Sequence, residues 1–302
     1  MKLKEYLDID LLHKMIEEKM VVLNYHPNGY LRILTYSKEC QGERIWNDVT
    51  EKCRGLIIDG DNNIIARPFK KFYNYEELIA DAFPIGKYLN ENMAFDAYEK
   101  LDGSLGIMYW INDVPYIATK GSFTSDQALH ATELLHTKYR NVWDKLDRNK
   151  TFLFEIIYPE DLHVVTYKDV DDIFLIGVLD NEDENTEYDI ESYCDIFNTT
   201  KKYLGAENWT SLREQIDGTN REGFVIRFAD GFRLKLKYED YWTLHYLKSG
   251  FSEKNIYKAL KSEDYTYIND AMKLFDEEHK LHYEHIMNKY KNLYRDILKV
   301  AA

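Results

Sequence analysis

The stretch REGFVIRFADGFRLKLKY, residues 221–238, constrains the fold more than any other part of the chain. Phe224, Ile226 and Phe228 alternate along its first half, and Phe232, Leu234, Leu236 and Tyr238 along its second, so each half reads as a strand with one apolar face. A two-residue Asp-Gly loop would pair Phe228 with Arg233 and put the two faces out of step, because a slip of one residue turns every side chain over. Parity therefore requires a three-residue loop, Ala229-Asp230-Gly231, with the glycine in the left-handed region. That register pairs Val225 with Lys235 and Gly223 with Lys237, and gathers Arg227, Arg233, Lys235 and Lys237 on the opposite face.

Other short apolar or alternating runs recur upstream between turn signals: 21–25, 30–36, 55–59, 104–111, 114–119, 151–158 and 172–179. Helical stretches are expected near 8–20, 74–82, 125–147, 189–203 and 209–217. There is no regular alternation of strand and helix, so the expected class is α+β with largely antiparallel sheets. The last proline is Pro159 and the last glycine Gly250, which leaves 251–302 without either breaker. Helical spacing of Ala271, Leu274, Phe275, Leu281, Tyr290, Leu293, Ile297 and Leu298 predicts an amphipathic helix there, in a helical appendage. The expected division is a domain of residues 1–242 and a helical domain of 243–302.

A chain of 302 residues with 45% hydrophobic content can fill a sizeable core. Charges interrupt the N-terminal MKLKEYLDIDLLHKM, and no later run reaches membrane-spanning length, so neither a signal peptide nor a membrane partner is expected. Cys40, Cys53 and Cys194 form no CxxC pair, which fits a reducing compartment. The net charge of −14 argues against a polyanionic partner only until it is located. Residues 160–195 hold thirteen acids against Lys168 alone, so the remainder carries 38 bases and 40 acids. A nearly neutral body can still present a basic groove.

No GxxxxGK[ST] loop and no GxGxxG follows a strand, so a phosphate binder here has to use side chains. Bases stand in or beside strands at Arg54, Lys71, Lys100, Lys120, Lys235 and Lys237, and two carboxylates, Glu155 and Glu222, interrupt apolar runs. A buried carboxylate is costly without a cation or metal.

These residues fall into motifs. Lys100-Leu101-Asp102-Gly103, followed by Ser104, is a KxDG sequence, and Arg54-Gly55 lies upstream. RPFKKFYN at 67–74, KGS at 120–122, FE at 154–155, EGFV at 222–225 and KLK at 235–237 complete an ordered series. From about Tyr36 to Tyr241 the chain resembles the covalent nucleotidyltransferases, the superfamily of DNA ligases, RNA ligases and mRNA capping enzymes, and within it the bacteriophage T4-type RNA ligase 1 family. The resemblance implies a nucleotidyltransferase domain, similar to the ATP-grasp-like ligase fold, with flanking helices. It implies Lys100 as the nucleophile that takes AMP from ATP, and a co-substrate site of Tyr36, Arg54, Lys71, Lys120, Glu155, Val225, Lys235 and Lys237. Among these, Arg54, Lys71, Lys235 and Lys237 would contact phosphates, Glu155 would hold the ribose, and Val225 and Tyr36 would lie near the adenine. Glu222 would serve a Mg²⁺ or Mn²⁺ ion, and Gly55, Asp102, Gly103 and Tyr241 would shape the site. The implied partner is RNA with 5′-phosphate and 3′-hydroxyl ends, tRNA among the candidates, sealed by a monomer in the cytoplasm, the host's if a phage encodes it. A DNA ligase, a GTP-using capping enzyme and a non-catalytic nucleic-acid-binding relative are the alternatives. The tail looks shorter than the helical domain of the T4 enzyme.

The chemistry can be argued from the residues. An amine with a pKa near 10.4 is neutral in roughly one molecule in two thousand at pH 7, so a nucleophilic Lys100 is expected to be depressed by Lys235, Lys237 and a bound metal. Two other patterns point to packing or solvent. His279, His282 and His285 drift by about 60° per step on a helix and cannot all converge. Residues 180–191 space their acids like a calcium loop but have Asn185 in place of the turn glycine, which predicts an acidic surface loop.

Overall fold

The hairpin forms in the register that parity requires. The structure, a computed structural model, describes residues 1–81, 83–89, 93–205 and 208–301, without the side chains of 249, 253, 297, 298, 300 and 301. Gly223 pairs with Lys237, Val225 with Lys235 and Arg227 with Arg233, and Gly231 closes the loop at φ +82°.

Among the described residues the strands form three sheets. The first holds β1 (Val21–Tyr25), β2 (Arg32–Tyr36), β3 (Arg54–Ile58) and β4 (Ile64–Ala66), antiparallel in chain order. The third runs β13 (Lys202–Tyr203), β6 (Phe95–Lys100), β14 (Gly223–Phe228), β15 (Arg233–Lys237) and β5 (Tyr73–Asn74), antiparallel except for β5. The second is inserted in sequence between β6 and β13 of the third: β8 (Val114–Ala118), β7 (Ser104–Ile111), β9 (Lys150–Ile157), β10 (Asp172–Asp180) and β11 (Glu187–Tyr188), with β12 (Asn198–Thr199) parallel beside β10. The mixed α+β class with largely antiparallel sheets is as expected.

Apolar faces join the layers. Ile33 and Ile57 of the first sheet pack with Ile107, Tyr109 and Leu153 of the second in one buried cluster. Phe224, Ile226, Phe228, Leu234 and Leu236, the residues that fixed the hairpin register, form the core of the third. The tail has its own cluster around Phe251, Ile256, Ala271, Phe275 and Tyr283.

Three expectations are corrected. The stretch 189–203 is one 3₁₀ turn, Ile190–Tyr193, and then β12 and β13, because the free edges of β10 and β6 capture its backbone. β6 is a strand that the apolar runs do not reveal, since only Ala97 in Phe95–Lys100 is buried. The single helix over 271–298 is two, Thr266–Leu274 and Glu277–Ala301. Phe275 breaks them with extended backbone, and the Asp276 carboxylate accepts the His279 N–H at 2.9 Å to start the second.

Candidate active site

Register alone brings three charges together. Gly223 pairs with Lys100 on one side and Lys237 on the other, so Glu222, one residue earlier, stands between two lysines. The Lys100 ammonium lies 2.8 Å from Glu222 Oε2 and that of Lys237 2.7 Å from Oε1. Glu222 is 3% exposed. Gly223 makes the approach possible: at φ +145°, a Cβ there would stand 2.1 Å from the Leu236 carbonyl oxygen. Gly223→Ala is therefore expected to cost about 2–4 kcal/mol from backbone strain and overpacking, read as a lower midpoint in urea unfolding.

After Lys100 the chain leaves the third sheet and enters the second at Ser104, so the turn 101–103 bridges the two. The Gly103 N–H donates to Glu155 Oε1 at 2.9 Å, and a Cβ on Gly103 would lie 2.4 Å from the Ile156 carbonyl oxygen. Burial raises the Glu155 pKa, with Glu222 adding to the effect and Lys100 opposing it. Asp102 points the other way, into the protein. Its Oδ2 accepts from the backbone N–H groups of Val164 and Val165 at 2.8 and 2.9 Å, and its Oδ1 from the Tyr241 hydroxyl at 2.9 Å. The segment that grips Asp102 is itself held by the C-terminal helices. Lys248 donates to the Leu162 carbonyl, His279 Nε2 lies 2.5 Å from the His163 carbonyl, and the Thr166 hydroxyl donates to Asp276.

A cleft of about 430 Å³ opens between the second and third sheets. Arg54, Lys100, Gly103, Glu155, Glu222, Val225, Lys235 and Lys237 line it, as do Phe72 and Tyr98. Its cations are of two kinds. Arg227 and Arg233 both pair with Glu187, and Lys202 pairs with Asp96. Arg54 and Lys235 have no ion pair among the described residues, and both stand over the Phe72 ring, 5.9 and 4.9 Å from its centroid. Burial, then the charges of Arg54, Lys100, Lys71 and Lys237, hold the Lys235 pKa well below the usual lysine value. Lys100 differs from expectation. Burial pulls it down, but Glu222 and, behind it, Glu155 outweigh that, and its pKa is raised. Of the lysines on the cleft wall the depressed one is Lys235, which no carboxylate faces, whereas Glu222 pairs with Lys100 and Lys237.

Three residues of the expected co-substrate site stand outside the cleft wall. Lys71 lies between the rings of Trp46 and Tyr73, 4.4 and 4.3 Å from their centroids, and Lys120 lies 4.0 Å over Tyr36. Tyr36 is thus not on the wall with Val225 and Tyr98; it ends β2 next to Arg54, beyond a bulge at Leu34/Thr35, and its ring is covered by Lys120. Gly55 adjoins both groups: at φ +104°, a Cβ there would lie 2.4 Å from Ile107 Cδ1 and 3.1 Å from the Lys120 carbonyl oxygen.

A sequence profile for the family described as RNA ligase, the T4 type 1 group, matches residues 52–243, which include the residues of the cleft wall but not Tyr36. The chain belongs to the T4-type RNA ligase 1 family. A protein of Autographa californica nuclear polyhedrosis virus, described as a bifunctional polynucleotide kinase/RNA ligase, is 26% identical over 226 residues, 65% of this chain. The chain spans only 31% of that relative's length. In fold it is similar to an Aquifex aeolicus protein described as an ATP-dependent DNA ligase, with a TM-score of 0.57 at 16% identity over 94% of this chain and 72% of that one. It is also similar to an archaeal ATP-dependent RNA ligase, with a TM-score of 0.53 at 14% identity over 96% and 81%. The fold is that of the nucleotidyltransferases.

In this RNA ligase family member several side chains around the cleft escape sequence reading. Phe72 lies inside the RPFKKFYN motif but carries no charge to mark it. Glu187, which neutralises two arginines, belongs to the acidic loop. That loop has no calcium-like ligand cluster among the described residues. The guanidinium of Arg67 instead takes the carbonyls of Asp180, Asp183 and Thr186.

Proposed function

We propose that the chain is an ATP-dependent RNA ligase that joins 5′-phosphate and 3′-hydroxyl ends through a nucleotide carried on Lys100. The observation behind this reading is the charge imbalance at the cleft. Arg54 and Lys235 share the cleft wall with the Lys100–Glu222–Lys237 array, Lys71 and Lys120 stand outside that wall, and none of these four cations has a carboxylate paired to it among the described residues. Clustered half-buried cations repel one another, and a fold retains them where a polyanion offsets the cost. A nucleoside triphosphate supplies that charge at the size of the cleft.

In the first step Lys100 Nζ attacks the α-phosphorus of ATP, an N–P bond forms, and the bond to the β-phosphate oxygen breaks to release pyrophosphate. In the second, an oxygen of the RNA 5′-phosphate displaces the lysine and takes the AMP. In the third, a 3′-hydroxyl attacks that 5′-phosphate, sealing the strand and releasing AMP. Arg54, Lys71, Lys235 and Lys237 hold phosphates. Glu155 Oε2, which has no partner among the described residues, accepts from the ribose, and Val225 with Tyr98 forms a wall for the base.

A divalent cation fits as a companion of the nucleotide. Among the described residues no three His, Cys, Asp or Glu side chains converge to hold one alone, and Glu222 offers one buried carboxylate at the phosphate end. Mg²⁺ or Mn²⁺ held there would neutralise phosphate charge. Residues 243–302 form a separate helical domain in this reading, supported by their own apolar cluster, although the helix Glu239–Ser249 is continuous across the division. Among the described residues no helix is long and apolar enough to cross a membrane. The three free thiols suit the cytoplasm.

The test is direct. Incubation with α-labelled ATP and Mg²⁺ should leave label on the denatured protein, added pyrophosphate should remove it, and 5′-phosphorylated RNA should discharge it more readily than DNA. An unlabelled protein overturns the proposal, and label from GTP but not ATP transfers it to capping chemistry.

A further inference from the structure

Trp46 takes no part in the nucleotide site. It stands half-buried between the short helices Lys38–Glu43 and Asp48–Lys52. Its ring meets Tyr36 edge-on at 5.1 Å and Tyr73 at 6.3 Å. Lys71 lies against Trp46 and Tyr73, and Lys120 against Tyr36. All five side chains are partly exposed. A purely structural ledge of this kind would pair its lysines with acids; neither lysine has an ion pair among the described residues.

The ledge extends the cleft. Tyr36 donates its N–H to the Cys53 carbonyl and follows Thr35, which pairs with Arg54. On the other flank Tyr73 pairs with Leu234 and Asn74 with Lys235. Arg54 and Lys235, both cleft cations, are therefore the next residues inward from the ledge on their strands.

In-line displacement says what reaches it. When Lys100 attacks the α-phosphorus, pyrophosphate departs on the face opposite the nitrogen. When the RNA 5′-phosphate later displaces Lys100, it has to enter from that same opposite face. The cations that release pyrophosphate therefore receive the RNA end, and whatever lies just beyond them meets its first nucleoside. We propose that Trp46, flanked by Tyr36 and Tyr73, is the platform on which the 5′-terminal base of the RNA stacks, with Lys71 and Lys120 facing the adjoining phosphates. Stacking on an aromatic face is tolerant of base identity, and a cation beside the ring adds to it. This inference rests on the proposed function and deepens it.

Trp46→Leu and Trp46→Phe separate the two. With the protein already carrying AMP, single-turnover transfer to a 5′-phosphorylated RNA oligonucleotide should weaken roughly 10- to 100-fold at sub-saturating RNA in Trp46→Leu, and most of it should return in Trp46→Phe. Formation of the AMP adduct from ATP should change far less than transfer does. An oligonucleotide with an abasic 5′-terminal residue should be a poor acceptor for the wild-type protein and lose nothing further in Trp46→Leu. Transfer at the wild-type rate in Trp46→Leu, or an equal loss in both steps, overturns the platform. If the wild-type protein takes no label, the function fails and the platform is still tested: the 5′-phosphorylated oligonucleotide should quench tryptophan fluorescence in the wild type and not in Trp46→Phe, and equal quenching in both overturns it.

Discussion

Lys100→Arg is expected to fold like the wild-type protein and to take up no label from ATP. Arginine keeps the positive charge that Glu222 requires, so the buried carboxylate, 3% exposed, stays paired and stability changes little. The guanidinium remains protonated at any working pH and cannot offer a lone pair to phosphorus. Loss of a nucleophile typically costs more than about 10⁴-fold in rate, which in a labelling gel is the disappearance of the band. Lys100→Ala would give the same gel by a less informative route, because it also leaves Glu222 with one cation in place of two. A thermal melt within a few degrees of wild type, together with a blank lane, identifies Lys100 as the attacking group. A band that survives Lys100→Arg means that another amine carries the nucleotide, and Lys235, the cleft-wall lysine held well below the usual lysine pKa, is then the first to replace.

The sequence exposes the hairpin because its information is local: two apolar faces three residues apart admit one register, and the observed pairs of Val225 with Lys235 and Gly223 with Lys237 follow from parity. The same register gathers Lys100, Glu222 and Lys237, since β6 lies on the other side of β14. What parity cannot show is the neighbour of β6. Its pattern, FDAYEK, is too polar to read as a strand and becomes one only between β13 and β14. The protonation of Lys100 is hidden for a related reason. The bases count as neighbours in a motif series, but the distances decide which carboxylate each one faces, and Glu222 faces Lys100 and Lys237 while leaving Lys235 without a partner. Trp46 leaves no trace, because it lies outside the charged motifs and its neighbours come from two other segments, Tyr36 from the end of β2 and Lys71 and Tyr73 from the RPFKKFYN motif.

Asp102, the third residue of KLDG, shows how a motif residue can act away from the cleft. Its carboxylate accepts two backbone N–H groups and the Tyr241 hydroxyl, and so ties the turn after Lys100 to the 162–166 segment and to the helix Glu239–Ser249. Asp102→Ala strands those three donors. Each buried unsatisfied group costs about 1–3 kcal/mol, so the expected loss is about 3 kcal/mol or more. For a chain of this size that lowers the melting temperature by roughly 6–12 °C. Asp102→Asn should do much less harm. Both backbone N–H groups converge on Oδ2 alone, so the amide oxygen can take that place while the amide nitrogen donates to the Tyr241 oxygen, whose hydroxyl turns away. Labelling should follow the same order, falling furthest in Asp102→Ala, because a displacement of about 1 Å in the attacking group can cost 10²-fold. An Asp102→Ala protein that melts within 2 °C of wild type, or an Asp102→Asn protein that melts no higher than Asp102→Ala, would mean that the turn is anchored by its other ties, the residue-102 N–H to the Tyr167 hydroxyl, the Gly103 N–H to Glu155 and the Ser104 hydroxyl to Asp161.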